Sequence, residues 1–262
     1  MPERVLVLQS CKPGAHTGWL AECMESVKVW ATRLGYSYER IGDELFDAIP
    51  ADVRELLKGR GMNLADIGRA TTARARLAAG ACDKYIWVDS DVLVFDPAHF
   101  RLPLTEPVAF CRELWVMEDT ERKLVMREAV NNAVSLYSRG EPLLDFYIEA
   151  CLRSVRREKQ KLDRLALGVH LPTILHRAYH FSLVYDVPNL SPWVIRDLLA
   201  GGGPCLGKLK GEHLRWKTPA TAANLCSSLA DKKFGDFPLV EAAFGKTVEL
   251  LKSRGPELLG PA

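Results

Sequence analysis

Two aspartates that flank a single serine are the residues of this sequence best placed to do chemistry. Asp89-Ser90-Asp91 follows an apolar, aromatic run at residues 85–88 and precedes a second apolar run at residues 92–95. In an extended backbone every second side chain projects to the same side, about 6–7 Å apart, so both carboxylates could share one cation. Carboxylate and water ligands suit Mg²⁺ or Mn²⁺, and such an ion keeps positions that phosphate oxygens can fill. The triplet therefore predicts a divalent-metal site for a phosphate-bearing ligand.

The chemistry of such a site is that of a Lewis acid. When a diphosphate departs, negative charge grows on its phosphate, and a fixed cation stabilises that charge in the transition state. A polar turn after a strand is the structural alternative. Two carboxylates held between apolar runs repel each other without structural benefit unless a cation is present, and this favours the metal site.

The surrounding elements predict how the triplet is positioned. Strands and helices alternate over the first 100 residues, with strands at 5–8, 36–41 and 84–88 and helices at about 17–34 and 64–79. This order is typical of a parallel sheet covered on both faces, in which ligands bind at the carboxyl ends of the strands. Gln9-Ser10 and the aspartate triplet both fall at such ends.

The second half of the chain has a mixed pattern. It favours strands at 108–111, 133–137 and 181–184, helices at 143–155, 192–199 and 237–251, and a flexible loop at 201–204. We expect an α/β fold with a mostly parallel central sheet, helices on both faces and a mixed C-terminal half.

Composition excludes several classes of protein. The 262 residues are 48% apolar and 26% charged, enough for a sizeable core in one domain, and the net charge of +2 gives no concentrated positive field for nucleic acid. Seven cysteines without a CxxC pair indicate neither a zinc cluster nor a disulfide framework. The first apolar run is too short for a signal peptide and no window is long enough to cross a bilayer, so we expect a cytoplasmic protein without a transmembrane anchor.

The segment from Asp83 to Pro97 resembles the DxD region of GT-A glycosyltransferases, especially the retaining galactosyl- and glucosyltransferases. The resemblance implies a GT-A (nucleotide-diphospho-sugar transferase) fold in one catalytic domain, 1–262. Residues 1–100 would bind the nucleotide sugar, and residues 101–262 would form the acceptor-binding half and the C-terminal helices. It implies sugar transfer from a nucleotide diphosphate, with UDP as the family's commonest carrier and Mn²⁺ or Mg²⁺ as cofactor.

The resemblance also implies roles for the triplet and its flanks. Asp91 would bind the metal directly, while Asp89 would reach it through water or contact the donor beside Ser90. Further donor contacts would come from segments that match the family in order along the chain: Gln9, Ser10, Asp66, Arg69, Arg76, Asn132 and Lys217. His213 would be the third metal ligand. For the two helix arginines a solvated face is the structural alternative, and for Asn132 a turn cap.

Two further residues are candidates by position. Glu113 follows the strand at 108–111 and would be the base if the configuration inverts, whereas in retaining families the leaving phosphate itself can assist the incoming hydroxyl. His170 lies in a loop-to-helix junction at 168–173 that would approach the donor or acceptor sugar, and a plain turn explains the junction's glycine and proline equally well.

Other functions compete with this hypothesis. A haloacid-dehalogenase-like phosphatase also carries Asp-x-Asp after an apolar strand, normally the first strand of its core, whereas two strand-helix units precede it here. A nucleotide-sugar-binding protein without turnover is the non-enzymatic alternative. The acceptor could be a glycan, a lipid-linked sugar or a small molecule. A basic cluster at residues 208–217 leaves modified-base DNA open, but a solvated surface is the commoner explanation.

Overall fold

A computed structural model describes residues 3–12, 14 and 17–259. The outermost residues of the expected domain at 1–262 therefore lie outside the described residues. The strands are β1 Val5–Ser10, β2 Ser37–Ile41, β3 Lys84–Val88, β4 Val92–Val94, β5 Val108–Glu118, β6 Leu124–Ser138, β7 Ser182–Val184, β8 Ala222–Asn224, β9 Lys232–Phe234 and β10 Phe237–Leu239. The α-helices are α1 Gly18–Arg33, α2 Ala51–Leu56, α3 Gly61–Ala78, α4 Pro142–Glu158, α5 Leu171–Tyr179, α6 Pro192–Leu199, α7 Pro204–Trp216 and α8 Glu241–Leu259.

The central sheet has six strands in the order β2-β1-β3-β6-β5-β7. Strand β1 runs parallel to β2 and β3, β5 runs parallel to β7, and β6 is antiparallel to both β3 and β5. Every strand except β6 therefore points in the same direction. The expected α/β class with a mostly parallel sheet is confirmed.

Alternation along the central strands builds a core on each face of the sheet. Leu6 and Leu8 of β1 pack in one cluster with residues of α3 and α4. Val5 and Val7 pack in another with residues of α1. Because both faces bury apolar side chains, each needs a helical cover, and the expected helices on both faces are confirmed.

The β5–β6 hairpin is much longer than the strands expected at 108–111 and 133–137. It extends to Glu118 and returns from Leu124. The extension is partly exposed on one face, whereas Leu114 and Val116 on the other face pack with α6 and α7. Because the extension is partly exposed, it lacks the continuous apolar run by which a buried strand is predicted from sequence.

The C-terminal elements also differ from expectation. Helix α7 occupies residues for which no helix is expected. The helix expected at 237–251 is wrong at its start, because Phe237–Leu239 forms β10, paired with β9, and α8 begins only at Glu241. Helix α8 continues to Leu259 across a kink at Arg254, close to Pro256, whose ring lacks the amide hydrogen that a regular helix requires. Within the described residues, no helix has the length and apolar character needed to cross a membrane.

Candidate functional site

A cavity of about 990 Å³ opens at the carboxyl ends of β1 and β3, against the β5–β6 hairpin and α5. Its volume is in the range of small-molecule sites. The residues lining it include nine of the candidates named from the sequence: Ser10, Asp66, Arg69, Asp89, Ser90, Asp91, Glu113, Asn132 and His170. The fold thus gathers residues from distant parts of the chain at the expected edge of the sheet.

Asp89 is fixed on three sides at the end of β3. Its backbone amide donates to the Ala133 carbonyl at 2.7 Å, and its own carbonyl accepts from Gln9 Nε2 at 3.1 Å. Its Oδ1 accepts from Trp87 Nε1 at 2.7 Å and lies 3.0 Å from Arg69 Nη1. Its Oδ2 has no hydrogen-bond partner within the described part of the chain. One carboxylate oxygen is therefore used for positioning and the other remains free.

In Asp91, as in Asp89, one carboxylate oxygen is hydrogen-bonded and, within the described residues, the other is free. It is 8% exposed, its Oδ2 accepts from the Ser227 backbone amide at 2.7 Å, and its carbonyl accepts from the Leu225 amide at 3.0 Å. Its Oδ1 has no partner among the residues that the structure describes. The segment after β8 thus closes over the triplet and orients the second carboxylate.

Asp91 lies close enough to affect the ionisation of Asp89. Burial raises the pKa of Asp89 to about 7, the Arg69 guanidinium opposes this rise, and the charge of Asp91 adds to it. A bound cation would favour the ionised form of Asp89. The electrostatics are those of a site that holds positive charge.

The donor set fits a hard divalent cation that takes two carboxylates from the protein and completes its shell with phosphate and water. In the described ranges no three or more His, Cys, Asp or Glu side chains are grouped to hold a metal ion. His213 is 3% exposed, with Nδ1 3.2 Å from the Thr218 carbonyl oxygen, and it does not line the cavity. The structure does not support the expectation that His213 is a third ligand.

A buried network connects α3 to the triplet. Arg69 Nη1 donates to Asn132 Oδ1 at 2.8 Å and to the Asn132 carbonyl at 3.0 Å, in addition to its contact with Asp89. Asn132 Nδ2 donates to Asp66 Oδ1 at 3.1 Å and lies 3.2 Å from the Tyr147 hydroxyl. Burial raises the pKa of Asp66, and the neighbouring Arg69 charge opposes this. These side chains bond to one another and hold Asp89 in place, although the buried Nε of Arg69 has no partner among the described residues.

A glycine lets the segment before α5 approach this network. Residues Ala166–His170 form a π-helical turn that crosses α3. A Cβ on Gly168 would lie 2.6 Å from Asp66 Oδ1, closer than real contacts allow, so only glycine fits. A close approach, and not a simple turn, accounts for this glycine. His170 follows at the cavity rim, with Nδ1 4.0 Å from Asp163 Oδ1.

An irregularity in β6 brings polar side chains to the same place. The pairing with β5 shifts from Phe110↔Ser135 to Cys111↔Asn131, so β6 has additional residues between them. Such bulges redirect side chains and are common beside active sites. Asn131, whose role was not expected, donates through Nδ2 to Glu113 Oε2 at 2.9 Å. Its only sequence signal is a pair of asparagines inside an apolar strand.

Glu113 lies on the cavity face of β5. Burial raises the pKa of its carboxyl, which the hydrogen bond from Asn131 opposes. Its Oε1 has no hydrogen-bond partner in the described segments. Trp115 lies two residues further along the strand, hence on the same face, and it pairs in register with Arg127 of β6. Together these residues form one wall of the cavity.

Three of the expected donor contacts do not line the cavity. Gln9 is fully buried behind Asp89, where its Oε1 accepts from the Tyr38 hydroxyl at 2.9 Å. Arg76 pairs instead with Glu39 of β2. Lys217 directly follows α7, which packs with Leu114 and Val116 on the face of β5 opposite Glu113. The alternation of β5 therefore keeps both His213 and Lys217 away from the cavity.

Comparisons with known proteins give no family assignment. No protein-family model and no curated protein matches the chain. A solved glycosyltransferase involved in the glycosylation of the major capsid of PBCV-1 is 12% identical with a TM-score of 0.48, over 94% of this chain and 99% of that chain. A Bacillus anthracis structure with sucrose, provisionally a glucose-1-phosphate thymidylyltransferase, is 10% identical with a TM-score of 0.35, over 70% and 86%. Likeness this low transfers no activity to the chain.

Proposed function

We propose that this chain transfers a sugar from a nucleoside diphosphate donor to an acceptor hydroxyl, with a divalent cation held by Asp89 and Asp91. One observation carries the proposal: both aspartates face one ligand-sized cavity at the carboxyl ends of the strands, and each keeps one carboxylate oxygen without a partner among the described residues. The resemblance of the DxD region makes UDP and Mn²⁺ the first donor and cofactor to test.

The residues of the triplet and those around it have different roles in binding the cation and the donor. Asp91 is the direct ligand, because its second oxygen is held by a backbone amide and its orientation is therefore fixed. Asp89, held by Arg69, completes the site or contacts the donor. When bound, the cation supplies Lewis-acid stabilisation of the charge that grows on the leaving diphosphate. Ser10 lines the end of the cavity nearest β1, where the nucleoside would lie.

Glu113 is the residue we assign to the acceptor. The acceptor oxygen bonds to the anomeric carbon, the bond from that carbon to the diphosphate oxygen breaks, and the diphosphate leaves with the electron pair. The proton of the acceptor hydroxyl passes to Glu113 Oε1. Burial raises the pKa of Glu113, which makes its carboxylate a stronger base than an exposed glutamate. Attack opposite the leaving group predicts inversion at the anomeric carbon, and NMR of the product tests this.

Calorimetric titration of UDP, GDP, ADP and UMP, with and without Mn²⁺, tests the donor site. We expect one diphosphate to bind only with the metal, and Asp91→Ala to weaken that binding by at least about 100-fold, the scale of a lost charged contact. Asp236→Ala, which removes a fully exposed aspartate that does not line the cavity, is the matched control. Failure of every diphosphate to bind would sink the proposal.

Turnover separates the alternatives. Release of the nucleoside diphosphate from a nucleotide sugar, dependent on Asp91, distinguishes an enzyme from a nucleotide-sugar-binding protein. Hydrolysis of p-nitrophenyl phosphate without any nucleotide binding would instead favour a phosphatase.

A further inference from the structure

The charge pattern of the outer part of the cavity differs from that of its floor. The floor is formed by Asp66, Arg69, Asp89 and Asn132. Arg127 on β6, Arg164 before the π-helical turn and Arg177 on α5 all line the cavity and are exposed. None of the three pairs with an aspartate or glutamate in the portions of the chain that the structure describes. We call these three the rim arginines. By contrast, the buried Arg69 lies 3.0 Å from Asp89 and 3.7 Å from Asp66.

Two of the rim arginines are positioned by regular structure. Helix α5 is fixed to β6 through Thr173, whose Oγ1 accepts from the Val130 amide at 2.9 Å. Arg177 lies one turn after Thr173 and so on the same face of α5, which is the face toward the cavity. Arg127 lies opposite Trp115 in the strand register, on the cavity face of the hairpin. The wall of the cavity therefore includes two guanidinium groups and an indole, which lie on the neighbouring elements α5, β6 and β5.

The carboxylates that line the cavity, Asp43 among them, form no ion pair with the rim arginines in the described residues. Glu128 also lines the cavity, but its Oε1 accepts from Arg112 Nε at 2.7 Å. Asp163 lies beside His170, at 4.0 Å. The charge of a nucleoside diphosphate would be met at the floor, by the cation at Asp89 and Asp91. The rim thus has positive charge in excess of what the donor requires.

Trp115 indicates which class of ligand would bind beside the positively charged rim. Its indole lies partly exposed on the wall, two residues from Glu113 on the same face of β5. The C–H face of a pyranose ring packs on an aromatic ring, and a spacing of about 6–7 Å along the strand is short enough for a ring on Trp115 to present a hydroxyl to Glu113.

We propose that the acceptor is an anionic sugar: its ring packs on Trp115, and its phosphate or carboxylate is bound by Arg127 and Arg177. Paired guanidinium groups bind either anion through charge-assisted hydrogen bonds. This proposal rests on the proposed glycosyl transfer, because it assigns the acceptor end of the same cavity. Its chemistry leaves two sources of the anion, a sugar phosphate or a uronic acid, which the test separates.

The test is calorimetric binding of three probes to the protein saturated with UDP and Mn²⁺: galactose 6-phosphate, glucuronic acid and neutral galactose. We expect at least one anionic probe to bind ten-fold or more tightly than galactose, and the stronger of the two to identify the anion. Arg127→Gln and Arg177→Gln should each remove most of that preference while leaving the affinity for UDP and Mn²⁺ unchanged within about two-fold. Arg74→Gln, a half-exposed arginine of α3 outside the cavity, is the matched control.

The outcomes are distinct. Equal affinity for charged and neutral sugars, or no binding of either anion, overturns the anionic acceptor. Loss of UDP affinity in the arginine variants would assign the rim to the donor and also overturns it. If no nucleoside diphosphate binds but the anions bind in an arginine-dependent manner, glycosyl transfer is wrong and the rim site stands.

Discussion

The floor and the rim of the cavity are built in opposite ways. On the floor, Asp66, Arg69, Asn132 and Asp89 are mostly buried and use one another's hydrogen-bonding groups, so their geometry is set before any ligand arrives. On the rim, the arginines are exposed and have no carboxylate partner in the described residues. A preorganised floor suits charge stabilisation in a transition state, whereas unpaired, solvated side chains suit ligand selection.

Removing the base is the change with the largest expected effect on this comparison. Glu113→Gln keeps an acceptor for the Asn131 amide but cannot take a proton, so turnover should fall by about 10²–10⁴-fold, the usual contribution of a general base. In the wild type, kcat/KM should rise with pH through the raised pKa of Glu113, and the variant should lack that limb. Glu149→Gln on α4 is the control; a variant that keeps wild-type turnover would contradict the role.

The same substitution has a predictable effect on stability. Because folding raises the pKa of Glu113, its ionised form disfavours the folded state, and stability is lost as the pH rises from the unfolded to the folded pKa. Glu113→Gln should therefore be relatively more stable than the wild type at high pH and not at low pH. Urea unfolding across that interval measures the difference, and parallel curves at all pH values would refute it.

Removal of the buried Arg69 charge from the floor is expected to have the next largest effect. Arg69→Met leaves Asp66 and Asp89 buried without their common partner, and loss of one member of a buried ion pair costs about 3–5 kcal/mol. Arg76→Met, two turns further along α3, removes a pair whose arginine is 39% exposed, and such pairs contribute about 0–1 kcal/mol. Chemical unfolding of both variants compares them, and equal losses would mean that the floor is not preorganised by this pair.

A methyl group at Gly168 tests the close packing under the floor. Gly168→Ala places a Cβ 2.6 Å from Asp66 Oδ1, and overpacking of this kind costs about 1–3 kcal/mol. Gly207→Ala on α7, where no atom lies within 4 Å of the new Cβ, should be neutral or stabilising by up to about 1 kcal/mol. Thermal unfolding distinguishes them, and a harmless change at Gly168 would show that the segment before α5 yields easily.

The rim should give the smallest effect on stability. Arg127→Gln and Arg177→Gln remove exposed side chains without a carboxylate partner among the described residues, and such surface changes stay within about 0.5 kcal/mol. Urea unfolding is again the measurement. A large loss in either variant would mean that these arginines hold the wall together and are not free to bind a ligand.

Local pattern accounts well for the elements that carry a strong local signal and poorly for those that do not. The strand at Lys84–Val88 and the helix at Pro192–Leu199 occupy the residues expected for them, because an unbroken apolar run or an N-terminal proline marks each one. The hairpin extension to Glu118 and the strand at Phe237–Leu239 were missed or misassigned. Their residues are half-exposed or short, so their structure depends on pairing with distant strands that no local window contains.

For the candidate site, the sequence by itself determined the aspartate triplet, its place at the end of a buried strand and the class of fold around it. These follow from residue type and periodicity over a few neighbours. Only the tertiary structure decided that Asn131, Trp115 and Ser227 line the same cavity as the triplet, and that His213 and Lys217 do not. The physical reason is that a bulge in β6 and the alternation of β5 set which side chains face the cavity, and both depend on contacts between residues far apart in the chain.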